Sequence, residues 1–216
     1  LPEEGELWAA IDYSQQEPRI LTHYASVFGR WKGLPLGGAK EFVDGYTNNP
    51  NMDFHTMVAD MANISRKQAK TINLGMMYGM GVRKLADQLD LEFEDAKELT
   101  QQYHSRVPFV KELMNGVSRS VDQKDDGSLR SLKGRKCRFD MFEPMGYDIQ
   151  KAMPLKEAKA TYGETAPLKR AYTYKALNRL IQASAADMTK QAMVDLYEAG
   201  ERPLLQVHDE LGCSVT

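Results

Sequence analysis

Two short apolar runs that end in acids stand at opposite ends of this chain, and they constrain its fold more than anything between them. Leu7 to Ile11 is apolar and stops at Asp12, which reads as a buried strand delivering a carboxylate at its tip. Leu204 to Val207 and Leu211 to Val215 read as two further strands, with His208-Asp209-Glu210 at the bend between them. The stretch between is patterned mainly as helices. This order predicts an α+β fold, with a small antiparallel sheet from the first and last segments and a mostly helical subdomain inserted.

Ser14-Gln-Gln-Glu-Pro opens a helix expected to reach about Ser26, with Pro18 tolerated because it falls in the first turn. Gly29 to Asn51, rich in Gly, Pro and Asn, predicts an irregular connection. The helical pattern resumes at Asp53. Ser65-Arg66-Lys67-Gln68 is a capping box, so a helix should run from near Ser65 to about Tyr78, ended by Gly79 and Gly81. Glu94 to His104 and Pro108 to Val121 read as two more helices, and Leu129 to Phe139 as a hairpin about Lys133-Gly134. Glu143 to Pro167 is weakly patterned and reads as a surface insertion. Leu177, Leu180, Ile181, Met188, Met193 and Leu196 mark a long helix from about Ala171 to Ala199.

At 216 residues and 42% hydrophobic content the chain can bury a core for one or two domains. No apolar run approaches the ~20 residues needed to span a membrane. The first residues lack a signal peptide's charged and apolar regions. Cys137 and Cys213 are too few for a disulfide scaffold and read as reduced thiols of a cytosolic protein. The formal charge of −2 says little about partners, because phosphoryl chemistry needs acids gathered in one place and bases in another.

Locally, three pieces carry chemistry. Asp12 and the Asp209-Glu210 turn are placed to meet if their strands are neighbours, and two such aspartates can hold a pair of Mg²⁺ ions. The plain alternative is a helix cap and an exposed turn. On the predicted helix, Arg66, Lys70, Asn73, Met77 and Tyr78 share one broad face, offering a guanidinium, an ammonium and an aromatic plate. A nucleoside triphosphate has that layout, though a solvated basic face also fits. Gly75 inside this helix points to a close approach on its side. Arg130, Lys133, Arg135, Lys136 and Arg138 fit phosphate-backbone contacts, and Asn178 and Gln182 could read base edges in a minor groove. His23 and His104 read as helix-surface residues, with no Cys/His spacing for zinc.

Asp12-Tyr-Ser-Gln-Gln-Glu-Pro-Arg19 resembles the first polymerase motif of the family A DNA polymerases, DYSQIELR. Arg66-Lys-Gln-Ala-Lys70-Thr-Ile-Asn-Leu74-Gly-Met-Met-Tyr78-Gly79 is similar to the second, RxxxKxxxFGxxYG, and Gln206-Val-His208-Asp209-Glu210 to the third, QVHDE. Asn178 to Asp187 resembles the NxxxQGxxAD helix. Four motifs in order cover nearly the whole chain.

The resemblance implies roles. Asp12 and Asp209 would hold two Mg²⁺ ions, with Glu210 accessory. Glu17 would be the steric gate under the sugar; Arg66, Lys70 and His55 would grip the triphosphate, and Tyr78 would stack near the nascent pair. Gln15, Arg19, Asn178, Gln182 and His208 would position nucleotide, primer-template DNA or the acids, and Arg135 of the basic hairpin reads as a further DNA contact. Residues 1–33 and 174–216 would be palm and 34–173 fingers. Thumb, exonuclease and C-terminal palm helices would lie in a larger parent or a second chain, in the cytoplasm of a bacterium or phage-infected cell, with no membrane contact. The implied activity is template-directed transfer of a deoxynucleotidyl group from dNTP to a primer 3′-hydroxyl. A catalytically inactive primer-template-binding subunit of the same fold and a metal-dependent nuclease are the rivals. Leu74 departs from the family's aromatic, Gln16 and Pro18 from its apolar residues, and Ala183 from its Gly.

Overall fold

The computed structural model describes residues 2–33, 36–146 and 151–215. Strand β1 (Leu7–Asp12) leads into helix α1 (Gln16–Lys32), followed by α2 (Ala39–Asn48), α3 (Phe54–Ala62), α4 (Arg66–Met77), α5 (Val82–Leu89), α6 (Phe93–Arg106) and α7 (Pro108–Asp122). A hairpin of β2 (Ser128–Arg130) and β3 (Lys136–Arg138) comes next, turning at Gly134 with φ 81°. Strand β4 (Met141–Pro144) is flanked by β5 (Met153–Pro154) and β6 (Leu168–Arg170) in a second antiparallel sheet, beside helix α8 (Leu155–Tyr162). A 3₁₀ turn then enters α9 (Ala176–Glu198), and β7 (Pro203–Val207) and β8 (Glu210–Val215) close the chain. The fold is α+β. The terminal strands form one antiparallel sheet in the order β1-β8-β7.

Capping and burial explain the helices that hold the site. Ser65 accepts from the Gln68 amide while the Gln68 side chain accepts from the Ser65 amide, so the capping box starts α4 as expected. Inside α4, Ala69, Ile72, Met76 and Met77 face the core. That core centres on Phe42, Phe54 and Phe109, with the Phe42 ring 4.8 Å from Phe54 and 5.2 Å from Phe109. Each fully buried ring or aliphatic side chain contributes roughly 1.5–3 kcal/mol relative to exposure.

Several expectations need correction. Helix α1 continues to Lys32 rather than ending near Ser26, and α2 occupies much of the stretch expected to be irregular, whose residues 34–35 lie outside the described residues. Phe42 at the middle of α2 is fully buried, and tertiary packing outweighs the segment's Gly and Asn content. Helix α5 was not expected, although Val82, Leu85, Ala86 and Leu89 stand at helical spacing and Leu85 and Ala86 are buried. The expected insertion is a small sheet with α8, apart from residues 147–150, which are not described. Strand β1 is exposed rather than buried, with Leu7 at 72% and Ile11 at 47% of their accessible surface. The close approach at Gly75 is intramolecular: a Cβ there would stand 3.1 Å from the Met80 sulfur. His104 is half-buried on α6, not a surface residue. Cys137 and Cys213, by contrast, are free thiols as expected.

Candidate active site

Backbone register settles how the two acidic ends meet. In the β1–β8 ladder Asp12 is the partner of Glu210, and in the β7–β8 ladder Val207 is its partner on the other side. Directly opposed residues point to the same face of a sheet with Cβ atoms roughly 4.5–5.5 Å apart, so Asp12 and Glu210 stand side by side. His208 and Asp209 form the turn between β7 and β8 at that same end, with His208 in the left-handed conformation at φ 56°. Asp12, Asp209 and Glu210 therefore gather at one edge of the sheet. Among the described residues, no three His, Cys, Asp or Glu side chains are arranged to hold a metal by themselves.

Asp53 couples the next two elements. One of its oxygens caps α3 by accepting from the His55 and Thr56 amides at 2.9 and 3.3 Å. The other accepts from the Arg66 guanidinium, at 2.7 Å from Nε and 2.6 Å from a terminal nitrogen. Burial would raise the Asp53 carboxyl, but the Arg66 guanidinium and the two amides outweigh it and hold it below the usual aspartate value. Arg66 remains 58% exposed, and Lys70 is exposed one turn further along α4.

His55 is buried on α3 at 7% exposure, and its Nδ1 lies 3.0 Å from the Asn73 side-chain nitrogen. Burial, with the positive charges of Arg66 and Lys70, lowers its pKa against the opposing pull of Asp53. The expected open basic face of α4 is thus narrower than its spacing implies, because Asn73 and Met77 are buried.

At the far end of α4, the Tyr78 hydroxyl donates to Glu17 of α1 at 2.5 Å. Burial first, and then this bond to a carboxylate, raise the Tyr78 hydroxyl above its ordinary value. Gln16 beside it is buried, and its side-chain nitrogen donates to the Ala185 carbonyl and the Thr189 hydroxyl of α9, both at 3.3 Å. That pairing accounts for a polar residue next to Glu17 where an apolar one was expected.

A cavity of about 610 Å³ is lined by Gln15, Glu17, His55, Arg66, Lys70, Leu74, Gln182, His208 and Asp209, among others. Residues from the first motif, the α4 helix, α9 and the β7–β8 turn thus share one concavity. Asp12 and Glu210 are exposed and do not line it. Gln182 and Ala186 also line a neighbouring groove of about 410 Å³ with Arg135, Lys136 and Arg179.

Other candidates are engaged within the protein. Gln15 donates to the Met52 carbonyl and accepts from the Phe54 amide, both at 2.8 Å, and from the Tyr46 hydroxyl at 3.1 Å, fixing the approach to α3. Arg19 donates to the Ser14 and Pro50 carbonyls and lies over the Tyr46 ring at 4.5 Å. Arg135 pairs with the buried Asp187 at 2.9 Å and donates to the Ala183 carbonyl at 2.7 Å. Asp187 also accepts from Ser131, tying the β2–β3 turn to α9. Asn178 is half-buried and Gln182 exposed on α9. Three residues that matter here were not singled out for these roles from sequence: Asp53, Asn73 and Asp187. Their signals were an N-cap position, an amide inside an apolar helix face, and the acid ending the α9 motif.

The family described as DNA polymerase family A matches residues 1–216. The chain belongs to the family A DNA polymerases. A DNA-directed DNA polymerase of Pseudomonas phage M6 is 37% identical over the whole chain, which spans 34% of that relative. DNA polymerase I of Rhizobium leguminosarum is 32% identical over 96% of the chain, which spans 19% of it. The POL domain of Pol1 from M. smegmatis, solved in complex with DNA primer-template and dNTP, is 29% identical with a TM-score of 0.70, over the whole chain and 35% of the solved one. The chain spans about a third or less of these family A polymerases.

Proposed function

We propose that this chain is the nucleotidyl-transferring portion of a DNA polymerase, extending a primer 3′-hydroxyl with a deoxynucleotide chosen by the template. The observation that carries the reading is the single cavity shared by Glu17, His55, Arg66, Lys70, Leu74 and Asp209, drawn from segments far apart in sequence. In this reading residues 1–33 and 174–216 are palm and 34–173 fingers. The remaining polymerase domains belong to a longer parent or a partner chain, working in a bacterial or phage-infected cytoplasm. Among the described residues no helix is long and apolar enough to cross a membrane.

The residues divide the work by chemistry. Arg66, Lys70 and His55 donate to the triphosphate oxygens, Arg66 as a planar fork and Lys70 as a point charge. Glu17, braced by Tyr78, stands under the sugar and leaves no room for a 2′-hydroxyl, while Leu74 packs against the sugar's other side. Gln182, Asn178, His208, Arg19 and Arg135 border the path of the duplex. Asp12 and Asp209, with Glu210 beside them, would offer Mg²⁺ the oxygen donors it prefers, and water and substrate phosphates would supply the rest. Two bound Mg²⁺ ions would ease deprotonation of the primer hydroxyl and neutralise charge on the departing pyrophosphate. The protein's share is holding the α-phosphate in line with the 3′-oxygen and presenting fixed cations to the charge that develops.

A primer-template-binding subunit without catalysis is the second reading; the departures at Leu74 and Ala183 and the ion pair that occupies Arg66 favour it. Single-nucleotide incorporation and strand cleavage, measured side by side for wild type and Asp209→Ala, separate the two. Template-dependent incorporation that Asp209→Ala abolishes, without cleavage, is expected. Tight primer-template binding with no incorporation, or incorporation indifferent to Asp209, overturns the proposal.

A further inference from the structure

Asn73 is a costly residue where it stands. It is fully buried on α4 with apolar Ile72 and Met76 nearby in sequence, and its side-chain oxygen has no hydrogen-bond partner among the described residues. An apolar side chain of similar size would fill that space without leaving a carbonyl unsatisfied. Its side-chain nitrogen, by contrast, is used, facing His55 Nδ1 at 3.0 Å.

That contact has a consequence for the other side of the ring. An amide NH₂ only donates, so Nδ1 must accept, and in a neutral imidazole the proton then resides on Nε2. Nε2 has no hydrogen-bond partner among the described residues and is not one of their buried unpaired atoms, so it keeps accessible surface where His55 borders the cavity. The charged groups around the ring are Asp53 on its own helix and Arg66 and Lys70 from α4. An Nε2–H beside two cations suits an anionic oxygen, whereas a bare Nε2 lone pair would repel it.

We propose that Asn73 is the positioning residue that fixes His55 as an Nε2–H donor, aimed at an anionic ligand of the phosphate-chain class in the cavity. The ligand class rests on the triphosphate reading above; the tautomer does not. Asn73 acts only through His55, and it adds to the site a hydrogen bond whose polarity is set from within the core.

Long-range ¹H–¹⁵N spectra of the ¹⁵N-labelled chain, with the His55 signals assigned by comparison with His55→Gln, report which ring nitrogen carries the proton. The wild type is expected to show a protonated Nε2 and a bare Nδ1. Asn73→Leu, which fills the same space without the donor, should give a mixture of tautomers and bind inorganic tripolyphosphate about tenfold more weakly. A wild-type proton on Nδ1 overturns the proposal whether or not the variant folds. So does a folded Asn73→Leu with wild-type tautomer and affinity. A wild type that shows the Nε2–H form yet binds no tripolyphosphate would sink the triphosphate reading and leave the positioning of His55 by Asn73 standing.

Discussion

Asp12 and Glu210 are direct partners in the β1–β8 ladder, although 198 positions of sequence separate them (210 − 12). The pairing makes the sheet a clamp. It brings the first motif's acid to the turn that carries Asp209 and leaves the intervening helices to form the cavity wall opposite.

The Tyr78–Glu17 bond joins the end of α4 to the start of α1 and holds the proposed gate in place. Tyr78→Phe removes a hydrogen bond to a charged group, worth roughly 1.5–3 kcal/mol. Ribonucleotide exclusion should therefore fall about tenfold, read as the ratio of rNTP to dNTP incorporation. The Tyr78 hydroxyl is raised above its ordinary value of 10.0 by burial first and then by Glu17. Because the folded value is the higher one, the contribution is whole below pH 10 and is lost as pH rises through the raised value. The difference in melting temperature between wild type and Tyr78→Phe should stay constant from neutral pH up to pH 10 and shrink above it.

Asp53 supports two helix starts with one carboxylate. Asp53→Ala should cost about 1–2 kcal/mol, lowering the Tm by roughly 2–8 °C in a calorimetric scan. Its folded pKa is depressed, so this stability is present above the ordinary aspartate value and lost as pH falls through the lowered one. Wild type and variant should converge in acid.

Leu74 borders the cavity where the related motif carries an aromatic ring. Leu74→Tyr should change discrimination against dideoxynucleotides, measured as the ddNTP to dNTP incorporation ratio. An unchanged ratio would remove Leu74 from the sugar's surroundings.

Asp187 anchors the β2–β3 turn to α9 through Ser131 and Arg135. Asp187→Ala leaves the buried Ser131 hydroxyl without its acceptor and removes the ion pair of Arg135, which keeps the Ala183 carbonyl, a loss of about 1–3 kcal/mol. Trypsin should then cut the Arg130–Lys136 turn faster than in wild type, while α4 stays protected.

Much of this was legible in the sequence because it was local. The Ser65–Gln68 capping box, the proline opening α7 and the apolar rows of α9 each announce an element through neighbours one turn apart. The α2 helix was not legible, since Phe42 becomes a reason to fold only once Phe54 and Phe109 surround it. The candidate site divides the same way. Arg66, Lys70 and Tyr78 show their spacing, but the Asp53–Arg66 pair and the Asn73–His55 contact join separate helices. Burial of Asn73 cannot be read from a polar residue in an apparently basic stripe. The apolar run of β1 misled because alternating burial is a property of the sheet's neighbours, and among the described residues few cover it.

The proposed function requires Asp12 and Asp209 jointly to hold divalent metal beside the cavity. Electron paramagnetic resonance titration of Mn²⁺ in the presence of dNTP, for wild type, Asp12→Ala and Asp209→Ala, tests it most directly. Two bound Mn²⁺ per chain are expected in wild type and at least a tenfold loss of affinity in either variant, a difference of about 1.4 kcal/mol or more. Mn²⁺ binding that is the same in all three proteins would contradict it.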